Sequence, residues 1–481
     1  MATTAELAGW AAGWNAELAS PLARQRAADA LEDTIACMVA GAGDVAAGKA
    51  RKLIADWSNS GATVVGSERQ AAAPFAAFSN ATSAHALDYD DTVGHALTHP
   101  SAVLFPALLA LAEDRNLSCR SLLSAWIVGL EIQVALGQAV NRKHYDKGWH
   151  ATSTVGLIGA AGACARLLDL DPEQTAAALS LATSMTSGSK GQFGTMAKPL
   201  HAGLAAKAAV FAATLAAEGV TANPEPLDGE YGFLKLYCGD GWRPFAPILE
   251  KLGSPPAIEW LGLDTKPYPC CSSMHLALDA FGDLQAEHGF RAADIVEATA
   301  TIARGPSLAL ISRPPRDEVE ARFSLPYAAA ALVSATRLRV SDFTAAGFRR
   351  DDIQALASRI QMKIWTEQQE AEGQSGSEVL ITLRNGQRLS KLSTMVRGSL
   401  SRPLTAADRE AKFEDCVRGL LPDDHYTSLR KALASADNLS TARQLMAPLR
   451  FTATIDSGER FLREATDRGS ATANSQPAMA G

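Results

Sequence analysis

A chain of 481 residues, 47% hydrophobic and 20% charged, has room for two domains and the make-up of a soluble globular protein. Its net charge of −7 offers no basic field to nucleic-acid phosphates, and its long apolar stretches carry charges, as 203–216 does at Lys207. Seven scattered cysteines with no Cys-x-x-Cys are neither a disulfide framework nor a zinc or iron–sulfur pattern.

The N-terminus lacks a basic region followed by an apolar one, so a cytoplasmic protein is expected. Thr3 with Glu6 suggests a capping box, and Leu7, Trp10, Trp14 and Leu18 form a helical stripe. Ser20-Pro21 opens a second helix, and further helices are expected over 46–57 and 71–86. Long apolar helices follow over 101–113, bent at Pro106, and 121–140, where Glu131 reads as a paired structural carboxylate. Small residues over 152–168 suit a tightly packed central helix, and Asp171-Pro172 caps the next. The glycine-rich 188–195 is not a P-loop, since no Gly-Lys-Ser/Thr ends it. Pro199 opens a long alanine-rich helix to about 218, and up to residue 265 the pattern is almost wholly helical.

It then changes. A helix over 272–288 precedes a β-branched strand at 295–303 and a helix at 324–333. The stretch 355–364 reads as a helix running into a short strand. Residues 379–390 read as a β-hairpin with a type I′ Asn385-Gly386 turn. Helices resume past Pro403, over 405–420, 424–434 and 440–449. The expected fold is mainly α: a discontinuous all-helical domain (1–267 and 402–460), a smaller α+β lid (268–401) and a disordered tail (466–481).

The polar outliers fall at helix starts. Within 85–99 lie three carboxylates, Asp88, Asp90 and Asp91, and three histidines, His85, His95 and His99. His99 and His150 each stand directly before a helix, Lys198 precedes Pro199, and Lys266 and His275 bracket the start of another. Helix N-termini carry unpaired N–H groups and partial positive charge, so converging ends would bind a substrate with two or three carboxylates. Asp88 and Thr92, four apart, would share a helix face. Singly, a His before a helix is more often a cap, and Asp90 and Asp91 read as a solvated or capping face; the constellation carries the expectation. Metal binding at His95 and His99 is disfavoured by Gly94 and Pro100, and an Asp-Asp-x-x-Asp magnesium site lacks its last carboxylate.

At these residues the chain resembles the MmgE/PrpD family of 2-methylcitrate dehydratases, cis-aconitate decarboxylases and an iminodisuccinate epimerase. The matching segments are Ala86–Thr92 with His99-Pro-Ser101, Gly148–Thr154, Gly194–His201, Lys266–Cys271 with His275, Phe323–Tyr327, and Leu404 through Phe413. The resemblance implies an all-α domain with an α+β lid, an active site between them, a homodimer, and neither metal nor organic cofactor. It puts Asp88, Thr92, His99, His150, Lys198, His275 and Tyr327 in the site. The expected roles are carboxylate binding by Thr92, Lys198, Lys266 and His275, proton movement by His150 or by His99 paired with Asp88, and protonation by Tyr327 of a departing hydroxyl or of carbon. Dehydration of a 2-methylcitrate-like tricarboxylate is the first expectation, since the Thr92–His99 loop is slightly longer than in the decarboxylase branch. Decarboxylation of cis-aconitate, epimerisation of a dicarboxylate, and a non-catalytic helical binding protein are the alternatives.

Overall fold

The computed structural model describes residues 3–58 and 60–454; the expected tail lies outside them. Ten helices lead the chain: α1 (Thr3–Gly13), α2 (Pro21–Gly41), α3 (Val45–Ala55), α4 (Ala73–His85), α5 (Pro100–Arg115), α6 (Cys119–Val140), the short α7 (Lys143–Asp146), α8 (Ala151–Leu167), α9 (Pro172–Thr183) and α10 (Ala197–Ala217). Their starts follow local chemistry. The Ser20 hydroxyl accepts the Ala23 N–H at 3.0 Å, and Asp171 and Gln174 form a capping box with Pro172 in the first turn. The Thr3 capping box does not form, because the Thr3 hydroxyl turns to Asp228 instead. A two-residue ladder, β1 (Ala62–Thr63) with β2 (Gln70–Ala71), interrupts the helices where only helix was expected.

α4, α8 and α10 are built of small residues and pack closely. Gly203 of α10 is the clearest case: a Cβ there would stand 2.3 Å from Thr82 Oγ1 and 2.6 Å from the Phe78 carbonyl, both on α4. This contact brings the start of α10 against the end of α4. α6 and α10 are long and apolar enough, by length and composition, to cross a membrane; the most apolar window of α6 is 94% buried inside the protein. Among the described residues, no cation pairs with Glu131 of α6. It accepts the backbone N–H groups of Gly253 and Ala257, and burial pushes its carboxyl up to about 7.

Apolar side chains gather in two main cores. One runs from Leu7 to Ile258 and takes up the C-terminal helices again from Phe413 to Phe451. The other runs from Tyr268 to Leu389. The second holds a four-stranded sheet in the order β4-β3-β5-β6, from β3 (Ile295–Ile302), β4 (Ile360–Ile364), β5 (Ser377–Leu383) and β6 (Arg388–Ser393). β3 pairs parallel with β4, and the other pairings are antiparallel. Ser377, Val379, Ile381 and Leu383 are buried while Leu380 faces out, the period-two alternation of a sheet covered on one side. The covering helices are His275–His288 and Leu325–Ala335. The hairpin forms, but its turn is not type I′. Only Gly386 has positive φ (+86°), and its N–H returns to the Leu383 carbonyl at 2.9 Å, a type I turn closed by a left-handed glycine.

Candidate active site

The segment between α4 and α5 is held from four directions. Thr92 and Asp264 exchange backbone hydrogen bonds at 3.1 and 2.8 Å. The loop after it packs on α6 at Gly137, where a Cβ would meet Ala96 Cα at 2.3 Å. Asp91 Oδ1 accepts the Ser101 N–H at 3.2 Å and so caps α5, and burial pushes its carboxyl up to about 7. From the C-terminal helix Ala406–Val417, Lys412 Nζ donates to the Tyr89 carbonyl at 2.8 Å and pairs with Asp33 at 2.7 Å. Under these restraints Asp88 sits at φ +53°, a left-handed conformation that costs a non-glycine residue about 1–3 kcal/mol.

That conformation points Asp88 at two ammonium groups. Lys198 Nζ lies 2.7 Å from Asp88 Oδ2, and Lys266 Nζ lies 2.5 Å from Oδ1 and 2.7 Å from the Asp88 carbonyl. All three residues are buried. Burial pushes the Asp88 carboxyl up, but the two lysines outweigh it and hold it well below the usual range. Two cations thus share the one carboxylate of Asp88.

Beside this cluster Asp90 Oδ2 takes two imidazoles, His85 Nδ1 at 2.8 Å and His99 Nδ1 at 3.1 Å. Asp90 is therefore ionised despite complete burial. His99 Nε2 stands 3.8 Å from Asp88 Oδ1. Burial pulls the His99 pKa down to about 4, against the pull of Asp90, so its ring is neutral at pH 7. Neither His99 nor His150 caps the helix it precedes, which frees both rings. His150 is also neutral, pushed well down by burial and by the charges of His85 and Lys198. Its Nδ1 lies 3.0 Å from His201 Nδ1, and its ring meets Phe193 edge-on at 4.9 Å.

Two cavities, one larger than the other, flank the Lys198–Asp88 pair and share Phe323. The larger is lined by His99, His150, Tyr145, Phe193, Ser272 and Ser273 among others. The smaller reaches His85, Asp44 and the buried Arg322. Cys271 and Phe323 of the second core line the larger cavity opposite residues borne by the helical part of the chain, such as His99 and His150.

Of the expected site residues, the structure brings Asp88, His99, His150, Lys198 and Lys266 together. Three others lie elsewhere. Thr92 lines neither cavity and serves through its backbone. His275 lines neither; its Nε2 faces the Cys270 carbonyl at 3.1 Å, and burial pulls its pKa down to about 3, so it braces the Cys270-Cys271 turn instead of carrying charge to a carboxylate. Tyr327 is fully buried between Phe343 and Phe348, with its hydroxyl donating to the Asp342 carbonyl at 2.5 Å. The phenol that does line the cavity is Tyr145 of α7. The expected pairing of His99 with Asp88 stands at 3.8 Å, and Asp90 lies closer to the same ring at 3.1 Å. His201 and Lys412 were legible only as members of the matching segments, and His85 and Asp90 only as unassigned members of the acid–histidine stretch. Among the described residues, His85, Asp90 and His99 also bring one donor atom each within 4.8 Å of one another, a spacing that a metal ion or shared N–H···O bonds would satisfy. His95 stands apart, against Trp260.

Residues 5–244 match the MmgE/PrpD N-terminal domain and residues 268–437 the MmgE/PrpD C-terminal domain. The chain is 31% identical over 392 residues to the cis-aconitate decarboxylase of Homo sapiens, covering 78% of this chain and 79% of the relative. It is 30% identical to that of Mus musculus, with 79% and 80% covered. A cis-aconitate decarboxylase-like protein of Aspergillus oryzae is 24% identical, with 92% and 96% covered. Matches to both domains of the family, together with relatives aligned over most of their length, establish that this chain belongs to the MmgE/PrpD family of enzymes.

Proposed function

We propose that this chain is a cofactor-independent decarboxylase of a cis-aconitate-like tricarboxylate. The observation that carries the proposal is Asp88 held between Lys198 and Lys266, a buried pair of ammonium groups on one carboxylate, with Lys198 and Asp88 opening on a cavity that neutral His99 and His150 also line. Such a centre attracts a polyanion, and neutral imidazoles can move a proton. The names of the relatives support decarboxylation over the dehydration expected first, in spite of the longer loop. Tyr327, expected to protonate a departing hydroxyl or carbon, is turned away from the cavity and serves neither reaction.

In this reading Lys198 binds a substrate carboxylate directly, and Lys266 acts through Asp88. One carboxylate leaves as CO₂, the electron pair of the broken C–C bond passes into the conjugated carbon chain, and one proton closes it as C–H. The charge built up on the way is stabilised by the fixed ammonium groups, whose orientation is set before the reaction. The test is to incubate the purified protein with cis-aconitate, 2-methylcitrate, citrate and iminodisuccinate and identify products by NMR. CO₂ and an unsaturated dicarboxylate from cis-aconitate are expected. Loss of water from 2-methylcitrate with cis-aconitate untouched would overturn the proposal.

A further inference from the structure

Decarboxylation of a tricarboxylate consumes one proton per turnover, and that proton must enter a buried site. The imidazole of His150 lines the larger cavity and is 2% exposed. Neutral and alone, it is a poor acid, since giving up its Nε2 proton would leave an imidazolate. It becomes a good one if a proton arrives at Nδ1 as the other leaves Nε2. The atom that faces Nδ1 is His201 Nδ1, 3.0 Å away. His201 stands one turn along α10 from Lys198, lines neither cavity and is 9% exposed, against 2% for His150. Its backbone is fixed by Ser153, whose hydroxyl donates to the His201 carbonyl at 3.3 Å. On its inner side Gly188 has positive φ (+117°); a Cβ there would lie 3.4 Å from His201 Nδ1 and 2.9 Å from Ser153 Cβ. The glycine lets the loop close over the pair without crowding it. His99 Nδ1 instead faces the buried carboxylate of Asp90 at 3.1 Å, and not a second imidazole.

We propose that His201 is a proton-relay residue that supplies His150 from solvent. Resting on the decarboxylase reading, the step balances as follows. The His150 Nε2–H bond breaks as the substrate C–H bond forms, using the electron pair left by CO₂. The His201 Nδ1–H bond breaks as His150 gains a proton at Nδ1. Solvent has protonated His201 at Nε2 before this step, so neither ring becomes an imidazolate, and tautomer exchange resets both rings. His201 touches no reacting atom and acts through His150.

The experiment measures kcat and KM on cis-aconitate for the wild type, His201→Gln and His201→Asn, with and without added imidazole, in H₂O and D₂O. Both amides can hydrogen-bond to His150 but cannot pass a proton through. A fall in kcat of about 10–10²-fold with little change in KM is expected, recovered by imidazole in proportion to its concentration. In the wild type, kcat plotted against deuterium fraction should be curved, since two protons move together. Variants that melt like the wild type and keep kcat within about 2-fold of it would overturn the relay and leave the decarboxylase reading standing. So would variants slowed but insensitive to imidazole, or, should they fail to fold, a linear wild-type plot. A wild type that releases no CO₂ from cis-aconitate would overturn both.

Discussion

Asp90→Asn tests whether a buried carboxylate works through His99. The side chain keeps its shape, and Asn Oδ1 can still accept from His85 and His99, but the negative charge is lost. The new NH₂ replaces Asp90 Oδ1, a buried atom without a hydrogen-bond partner, so it gains none. Hydrogen bonds to a charged acceptor contribute about 1.5–3 kcal/mol each, against about 0.5–1.5 for neutral ones, so folding should weaken by a few kcal/mol. The larger effect is on chemistry. If His99 takes a proton during turnover, its imidazolium stands 3.1 Å from Asp90. At an effective dielectric of about 20, opposite unit charges at about 3 Å attract by about 5 kcal/mol. Losing most of this should lower kcat by about 10²–10⁴-fold, or about 3–5 kcal/mol of barrier. The assay is steady-state CO₂ release from cis-aconitate, with circular dichroism as the folding control. His85 does not line the larger cavity, so His85→Asn should cost less, about 10-fold. A folded Asp90→Asn enzyme within about 3-fold of wild type would refute the argument and leave Asp90 as packing.

Asp88→Asn strips two buried lysines of their counter-charge and should destabilise the fold by about 3–5 kcal/mol in urea unfolding; Asp88→Asn with Lys266→Met should recover part of the loss, and no recovery would count against the pairing seen here. Tyr327→Phe should lower stability by about 1–3 kcal/mol and leave kcat nearly unchanged, whereas Tyr145→Phe should change kcat or KM with little effect on melting; the opposite pattern would return Tyr327 to the site. Glu131, with its carboxyl pushed up to about 7, contributes stability that is present below its unfolded pKa and lost as pH rises toward 7. The wild type should therefore lose up to about 3 kcal/mol relative to Glu131→Gln between pH 5 and pH 8, read from urea unfolding at the two pH values. His99 works in the opposite sense: pulled down to about 4, it removes stability as pH falls from about 6.5 toward 4. Dialysis against EDTA should leave turnover unchanged; loss restored by one divalent cation would make His85, Asp90 and His99 a metal centre.

Much of the fold is local and so could be read along the chain. Caps at Ser20 and Asp171, the alternation along β5 and the Asn385-Gly386 hairpin each depend on neighbours in sequence. The hairpin's turn type was not, because the positive φ falls on Gly386 alone. The site divides the same way. Asp88, His99, His150, Lys198 and Lys266 could be picked out as polar residues at the borders of apolar helices. Asp90 could not, because an Asp-Asp pair in an isolated segment looks solvated. Only the packing of α4, α5 and α10 buries it and turns His85 and His99 toward it. Nor could a linear reading separate Tyr327 from Tyr145, since each sits in a short helical stretch and only tertiary packing decides which phenol meets Asp342 and which meets the cavity. Sequence determined the kinds of charge available and the helices that carry them. Tertiary structure decided the partners, because a buried charge must take whichever opposite charge or hydrogen-bond donor the packing brings within about 3 Å.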